Sequence, residues 1–224
     1  MNISYFFSPL LLFCIVFSHS LAFANEIEKK FVEAGLIDVH TVDPSIGVDL
    51  VNSDPSKNFF KENFYRGLSK AYLRKEVATK LSQAQSFLVA RHPGYSLLIM
   101  DAARPRSVSQ LMYDKMKGTR FEKFVANPQK GSMHNYGIAV DITITDSDGE
   151  EIDMGFSPFY RDATSIYLGY ARLKLLGITD RQKENRQLLA TVMENAGFFP
   201  LSYEWWHFNG LRKSEARERY AIIE

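Results

Sequence analysis

The stretch Ser132-Met133-His134-Asn135-Tyr136-Gly137-Ile138-Ala139-Val140-Asp141-Ile142-Thr143-Ile144-Thr145 decides how this chain is read. Ile138, Val140, Ile142 and Ile144 alternate with Ala139, Asp141, Thr143 and Thr145, a period of 2 that predicts a β-strand with one buried face. Asp141 falls on the other face, on a strand that opens just after His134. Asp146-Ser147-Asp148-Gly149 follows as a turn, predicting a hairpin that returns through Glu150-Glu151-Ile152-Asp153-Met154.

Working outward, Leu73, Val77, Leu81, Ala84 and Leu88 recur at helical spacing and stop at His92-Pro93-Gly94. Tyr95 to Met100 is a short apolar strand that runs into Asp101-Ala102-Ala103-Arg104-Pro105, and a second helix is predicted from Val108 to Lys117. Two Asp-Pro pairs, Asp43-Pro44 and Asp54-Pro55, bracket another short strand at Ile46-Gly47-Val48-Asp49-Leu50. Downstream, Leu188, Leu189, Val192, Met193 and Ala196 predict a helix stopped by Gly197, and the aromatic run Phe198 to Phe208 predicts one final strand. Helices and hairpins are segregated rather than strictly alternating, so the expected class is α+β. No repeat or linker divides the chain, and a single domain over residues 25–224 is expected.

Composition narrows the function. Lys plus Arg at 27 against Asp plus Glu at 26 leaves a net charge of +1, which offers no electrostatic footprint for nucleic acid or an anionic membrane. Residues 1–24 carry no charged side chain. Their apolar block Leu10 to Phe17 is too short for a span of roughly 20 apolar residues, and Ala22-Phe23-Ala24 has the small-x-small form of a signal-peptidase site. Residues 1–24 are therefore expected to be a cleaved signal, giving a secreted or periplasmic protein with no membrane span after cleavage. A retained anchor is the alternative, because Met1-Asn2-Ile3-Ser4 lacks Lys and Arg. The single cysteine, Cys14, leaves with the signal. Thiol nucleophiles, disulfides and cysteine-ligated metals are thereby excluded from the mature protein.

Chemistry then falls to histidine, carboxylates and arginine. His134 stands seven residues before Asp141, and His207 closes Glu204-Trp205-Trp206-His207. Two imidazoles and one carboxylate are what a catalytic zinc commonly takes, with a fourth position left for water. Hydrolysis also needs a carboxylate to accept a proton and pass it to the leaving amine, and Glu204 is the spare base. A regular strand would point Glu204 and His207 to opposite faces, so the expectation requires a helix or a bulged strand there. Arg104, permanently charged, is suited to steady an oxyanion or hold a substrate carboxylate.

Each residue alone has a plainer reading. His134 as a loop histidine, Asp141 on a solvated strand face, the tryptophans as core and Arg104 as a surface ion-pair partner are all ordinary. Their conjunction in one thiol-free chain carries the argument. His40 and His92 are expected to be structural, the latter at a helix end.

Ser132-x-His134-x-x-Gly137-x-Ala139-x-Asp141, followed by Glu204-Trp205-Trp206-His207, resembles the zinc D-alanyl-D-alanine dipeptidases of the vancomycin-resistance type, related to the murein D,D-carboxypeptidases. Asp43 to Leu50, Asp101 to Pro105, Asp153-Met154-Gly155 and Met193 to Phe198 are similar to that subfamily in the same order. The resemblance implies one zinc ion per chain held by His134, Asp141 and His207, with Glu204 as general base and acid, Arg104 as transition-state stabiliser and Ser132 beside the substrate. It also implies a single-domain scaffold, shared with the hedgehog signalling domain, in which helices flank a central antiparallel sheet. The implied substrate is a small peptide, D-Ala-D-Ala. One position departs: where the dipeptidases usually place an aspartate that holds the free amine, Phe159 is followed by Tyr160. Asp162 or Asp153 takes over that contact, or the site accepts longer peptidoglycan stems as a murein carboxypeptidase or endopeptidase. A non-enzymatic zinc module that binds wall peptide or protein is the more distant alternative.

Overall fold

The computed structural model describes residues 26–119, 122, 126–155, 177–202 and 204–224. The expected signal with Cys14, and the positions Tyr160 and Asp162, lie outside these. Among the described residues the sheet that matters has five strands, in the order β2 (Gly47–Val48), β4 (Ser96–Asp101), β5 (Ala139–Thr145), β7 (Glu204–Asn209), β6 (Phe199–Leu201). Four of these strands run antiparallel in sequence, as expected, but β2 pairs parallel with β4. A second ladder joins β1 (Leu36–Asp38) to β3 (Tyr72–Arg74), next to a helical segment α1 at residues 26–33.

Helix α2 (Lys75–Arg91) buries Val77, Ala78, Leu81, Ala84 and Leu88 on the side the heptad-like spacing predicts. Leu73 is not part of it. The backbone there is drawn into β3, where the Arg74 N–H donates to the Gly137 carbonyl at 2.9 Å, so the helix starts two residues later. Helix α3 (Arg106–Met116) follows the Asp101–Pro105 loop, and Pro105 at its N-cap removes a donor that no helix carbonyl would have met.

Helix α4 (Asp180–Asn195) begins earlier than its apolar residues suggest. A capping box between Thr179 and Gln182 starts it, a device worth about 1 kcal/mol. It ends as the sequence predicts: Gly197 at φ +81°, its N–H on the Glu194 carbonyl at 2.8 Å and the Phe198 N–H on Met193 at 3.0 Å. That is a Schellman closure, and only glycine reaches such a φ cheaply. A short helix α5 (Lys213–Arg219) precedes the C-terminal segment.

Two further expectations are corrected. The aromatic run Phe198 to Phe208 is a hairpin, β6 and β7, because strand propensity is the same on both sides of a turn that lacks a glycine signal. Pro200 sits on the edge strand β6, the part of a sheet where a residue without an N–H is tolerated. Strand β5 is buried on both faces through Ile144, with Thr143 covered as fully as the isoleucines and Asp141 buried too, so its second face is not solvated. The expected hairpin after β5 exists as a turn at Asp146–Gly149 and a short return: Ile152 N–H reaches the Ile144 carbonyl at 3.0 Å.

One face of the sheet carries Leu97, Ile99, Val140, Ile142, Ile144 and Phe208 into the apolar core with α2 and α4. Burial of a large aliphatic side chain contributes about 1.5–3 kcal/mol, so this face anchors the sheet. The opposite face carries the polar row described next.

Candidate active site

Asp101, Asp141 and His207 are direct neighbours across three strands, Asp101 opposite Asp141 and Asp141 opposite His207. Alternation alone would put Asp101 on the same face as Ile99, in the core. A bulge between Ile99 and Asp101 inserts one residue and turns Asp101 onto the face of Asp141.

His134 arrives from a 3₁₀ turn, Met133–Tyr136, that precedes β5. Ser132 caps this turn through its hydroxyl and Asn135 answers with its side chain. Gly137 closes it at φ +70°, and a Cβ there would stand 2.7 Å from a Leu36 methyl, so any other residue is strained in backbone and must displace Leu36. The chain is thereby turned directly from His134 into β5.

The third strand solves the spacing problem of Glu204 and His207. On β6, Pro200 pairs with Phe208 and the next residue, Leu201, pairs with Glu204, which leaves Trp205, Trp206 and His207 unmatched by that strand. The irregular stretch brings Glu204 Oε2 to 3.9 Å from His207 Nδ1. This is the bulged-strand solution.

The result is a triangle of acceptors. His207 Nδ1 lies 3.0 Å from Asp141 Oδ1, His134 Nε2 lies 3.4 Å from the same oxygen, and the two ring nitrogens are 3.2 Å apart. All three side chains are buried. The outer ring nitrogens are committed: His134 Nδ1 donates to the Ala102 carbonyl at 2.7 Å and His207 Nε2 donates to Asn209 Oδ1 at 3.1 Å. In the neutral rings the inward nitrogens then carry lone pairs, pointed at one another and at a carboxylate. Such a cluster repels itself unless a cation lies inside it, and these three residues can hold a metal ion.

Two further charges frame the cluster. Arg104 donates to Asp101 Oδ2 from Nε at 3.1 Å and from Nη2, and its Nη2 lies 4.0 Å from Asp141 Oδ2. Its Nη1 makes no protein bond among the described residues. Asp101, wholly buried, also accepts from Tyr65 Oη at 2.7 Å, Asn52 Nδ2 at 2.9 Å and the Ala102 N–H at 3.0 Å. A buried carboxylate bonded this way is a rigid mount for a guanidinium.

Electrostatics follow the geometry. Burial lifts the Glu204 carboxyl above its ordinary value, against the pull of the neighbouring histidines and Arg104. Burial opposes the charge of Arg104, but Asp101, Tyr65 and Asp141 outweigh it and hold the guanidinium protonated. Burial also pushes the Tyr65 hydroxyl up, and the charge of Asp101 adds to that.

Of the residues expected at the site, His134, Asp141, His207, Glu204 and Arg104 come together. Ser132 is adjacent, but its hydroxyl is used in capping. Asp153 instead accepts from the Gly155 N–H at 2.8 Å and from Gln182 Nε2 at 2.9 Å at the start of α4. His40 bonds the Ile46 carbonyl and His92 stacks by Tyr95, as structural residues do. Asp101, Asn209, Asn52 and Tyr65 were not anticipated. Only Asp101 had a visible signal, its place three residues before Arg104.

A family model described as D-ala-D-ala dipeptidase matches residues 32–221. A D-alanyl-D-alanine dipeptidase of Synechocystis sp. is 31% identical over 182 residues, covering 65% of this chain and 71% of its own. Enzymes of the same name from Escherichia coli and Enterococcus faecalis are 27% and 29% identical, covering 77% and 60% of this chain and 83% and 70% of theirs. Among solved structures, the LdcB LD-carboxypeptidase is similar at 23% identity and a TM-score of 0.40, over 66% of this chain and 63% of that one. With the family match running from α1 to the C-terminal segment, the chain belongs to the D-Ala-D-Ala dipeptidase family.

Proposed function

We propose that this protein is an exported zinc dipeptidase that hydrolyses D-Ala-D-Ala to two D-alanines, its catalytic domain being residues 25–224 after removal of residues 1–24. The observation that carries the reading is the buried triangle of His134 Nε2, Asp141 Oδ1 and His207 Nδ1, with edges of 3.0, 3.2 and 3.4 Å. A tetrahedral zinc with bonds of about 2.0–2.1 Å separates its donors by about 3.3 Å, so the donor set fits that ion in type and spacing. When bound, zinc polarises a carbonyl oxygen and makes water acidic enough to attack near neutral pH.

The chain's own residues do the rest. The Ala102 carbonyl and Asn209 hold both imidazoles in the ligating tautomer. Glu204, 3.9 Å from His207, takes the proton of the attacking water on its carboxylate and delivers it to the leaving amine, so that hydroxyl adds to the carbonyl carbon as the C–N bond breaks. Arg104 offers Nη1 to the developing oxyanion, with Asp101 fixing the plane of the guanidinium. Ser132 borders the substrate, and Asp153 or Asp162 takes over the contact to its free amine that the aspartate replaced by Tyr160 makes in the resembled subfamily.

The test is a comparison of D-alanine release by the zinc-loaded protein from free D-Ala-D-Ala and from a stem pentapeptide with the same terminus. Release from the dipeptide supports the reading. Release mainly from the pentapeptide would make the protein a murein carboxypeptidase, the reading that Tyr160 favours, and silence on both would favour an endopeptidase or a binding module.

A further inference from the structure

Asn135 lies between the two halves of the site. It is wholly buried, and every polar atom it has is used. Its Oδ1 accepts the Ser132 N–H at 2.7 Å, and its Nδ2 donates both to the Arg104 carbonyl at 2.8 Å and to Ser109 Oγ at 2.9 Å. The neighbouring backbone adds a parallel link, the Arg104 N–H donating to the His134 carbonyl at 3.0 Å. Arg104 is therefore bonded, at its own backbone, to the turn that carries a ligand histidine.

The C-terminal segment locks this joint from behind. The Ile223 N–H donates to the Asn135 carbonyl at 2.8 Å, and the Ile223 carbonyl accepts from the Arg106 N–H at 2.7 Å. Ile223 is buried in the core, and the Arg106 guanidinium pairs with the Glu224 carboxylate, Nε to Oε2 at 2.9 Å. One strap thus touches the turn of His134 and the first residue of α3, two residues after Arg104.

We propose that Asn135 is a positioning residue that sets Arg104 relative to His134, and that Ile223 holds Asn135 in register. The chemistry of the bonds excludes a flipped amide, because an N–H faces Oδ1 and a carbonyl faces Nδ2. Asn135→Asp keeps shape and volume but sets a carboxylate oxygen against the Arg104 carbonyl, which pushes the guanidinium backbone away. Displacements of an ångström in such a site cost roughly a hundredfold in rate.

The inference rests on the role given to Arg104 above, and a tetrahedral ligand reads that role without turnover. The experiment measures, by calorimetry, binding of a phosphinate analogue of D-Ala-D-Ala to zinc-loaded wild type, Arg104→Ala, Asn135→Asp and the double variant, with zinc content and kcat and KM for each. The expected result is that Asn135→Asp keeps its zinc, loses about tenfold or more in kcat and in phosphinate affinity with a smaller change in KM, and costs less than about twofold further in the Arg104→Ala background. Equal losses in both backgrounds would overturn the inference, since a merely structural role weakens both alike. If Asn135→Asp does not fold, Ile223→Ala, which frees the strap, is expected to show the same background dependence at smaller size, and equal losses there overturn it too. A wild type that neither binds the phosphinate nor releases D-alanine overturns the proposed function itself, whereas a wild type that does both beside an unaffected Asn135→Asp overturns this inference alone.

Discussion

Asp101 and Asp141 face each other across the β4–β5 ladder as direct partners, yet each carboxylate has its own set of hydrogen-bonding neighbours. Asp101 accepts from Arg104, Tyr65, Asn52 and a backbone N–H, while Asp141 Oδ1 faces the two histidines. Two buried carboxylates in one row are tolerable only because neighbouring donors and a shared guanidinium compensate them. Arg104 spans both, bonded to one and 4.0 Å from the other.

Asp101→Asn removes the charge that holds Arg104 while keeping the shape. The partly buried guanidinium loses its nearest counter-ion and keeps only Asp141 at 4.0 Å, so stability should fall by about 3 kcal/mol, seen in denaturant melts. Turnover should fall about 10- to 100-fold at full zinc content, because the oxyanion donor is no longer fixed. A variant with wild-type kcat would show that Asp101 does not position Arg104.

Glu204 and Asp141 should separate proton transfer from metal holding. Glu204→Gln keeps the ligand triangle and is expected to bind zinc normally while losing about 10²- to 10⁴-fold in kcat. Asp141→Ala is expected to lose zinc. Metal analysis beside steady-state rates checks both, and a rate within about threefold of wild type for Glu204→Gln would remove Glu204 from the mechanism.

Much of this site is legible in the sequence because its residues are local to readable strands. His134 and Asp141 flank the start of an alternating strand, and Glu204 and His207 end a short aromatic run. What was not legible depends on register. Asp101 reaches the site face only through a bulge of one residue, and its partners Asn52 and Tyr65 come from loops 49 and 36 positions away. The β6–β7 turn was invisible for a similar reason: aromatic propensity continues through it, and nothing at Ser202 marks a break. The parallel pairing of β2 comes from a two-residue strand, too short for any periodicity to show its direction.

Asn209 should matter to the metal without touching it. Asn209→Ala leaves the outer nitrogen of His207 without its acceptor, so the ring and its tautomer are no longer fixed. Zinc affinity measured by chelator competition should weaken about 10- to 100-fold. Unchanged affinity would contradict the assignment of His207 Nδ1 as the ligating atom.

Gly137 connects the His134 turn to β5 at φ +70°. Gly137→Ala should cost about 1–3 kcal/mol from backbone conformation alone, with the clash against Leu36 added. The melting temperature should drop, and zinc affinity should drop with it because His134 shifts. Loss of stability at unchanged affinity would show that the turn does not govern where His134 stands.

The central claim is that three buried acceptors form the working metal site of a D-Ala-D-Ala hydrolase. It is tested most directly by stripping the protein with a chelator and measuring D-alanine release from D-Ala-D-Ala as zinc is returned. The account predicts no release without metal and a rate that climbs to a plateau at one zinc per chain. Release that survives stripping, or a stripped protein that zinc binds without restoring release, would contradict it.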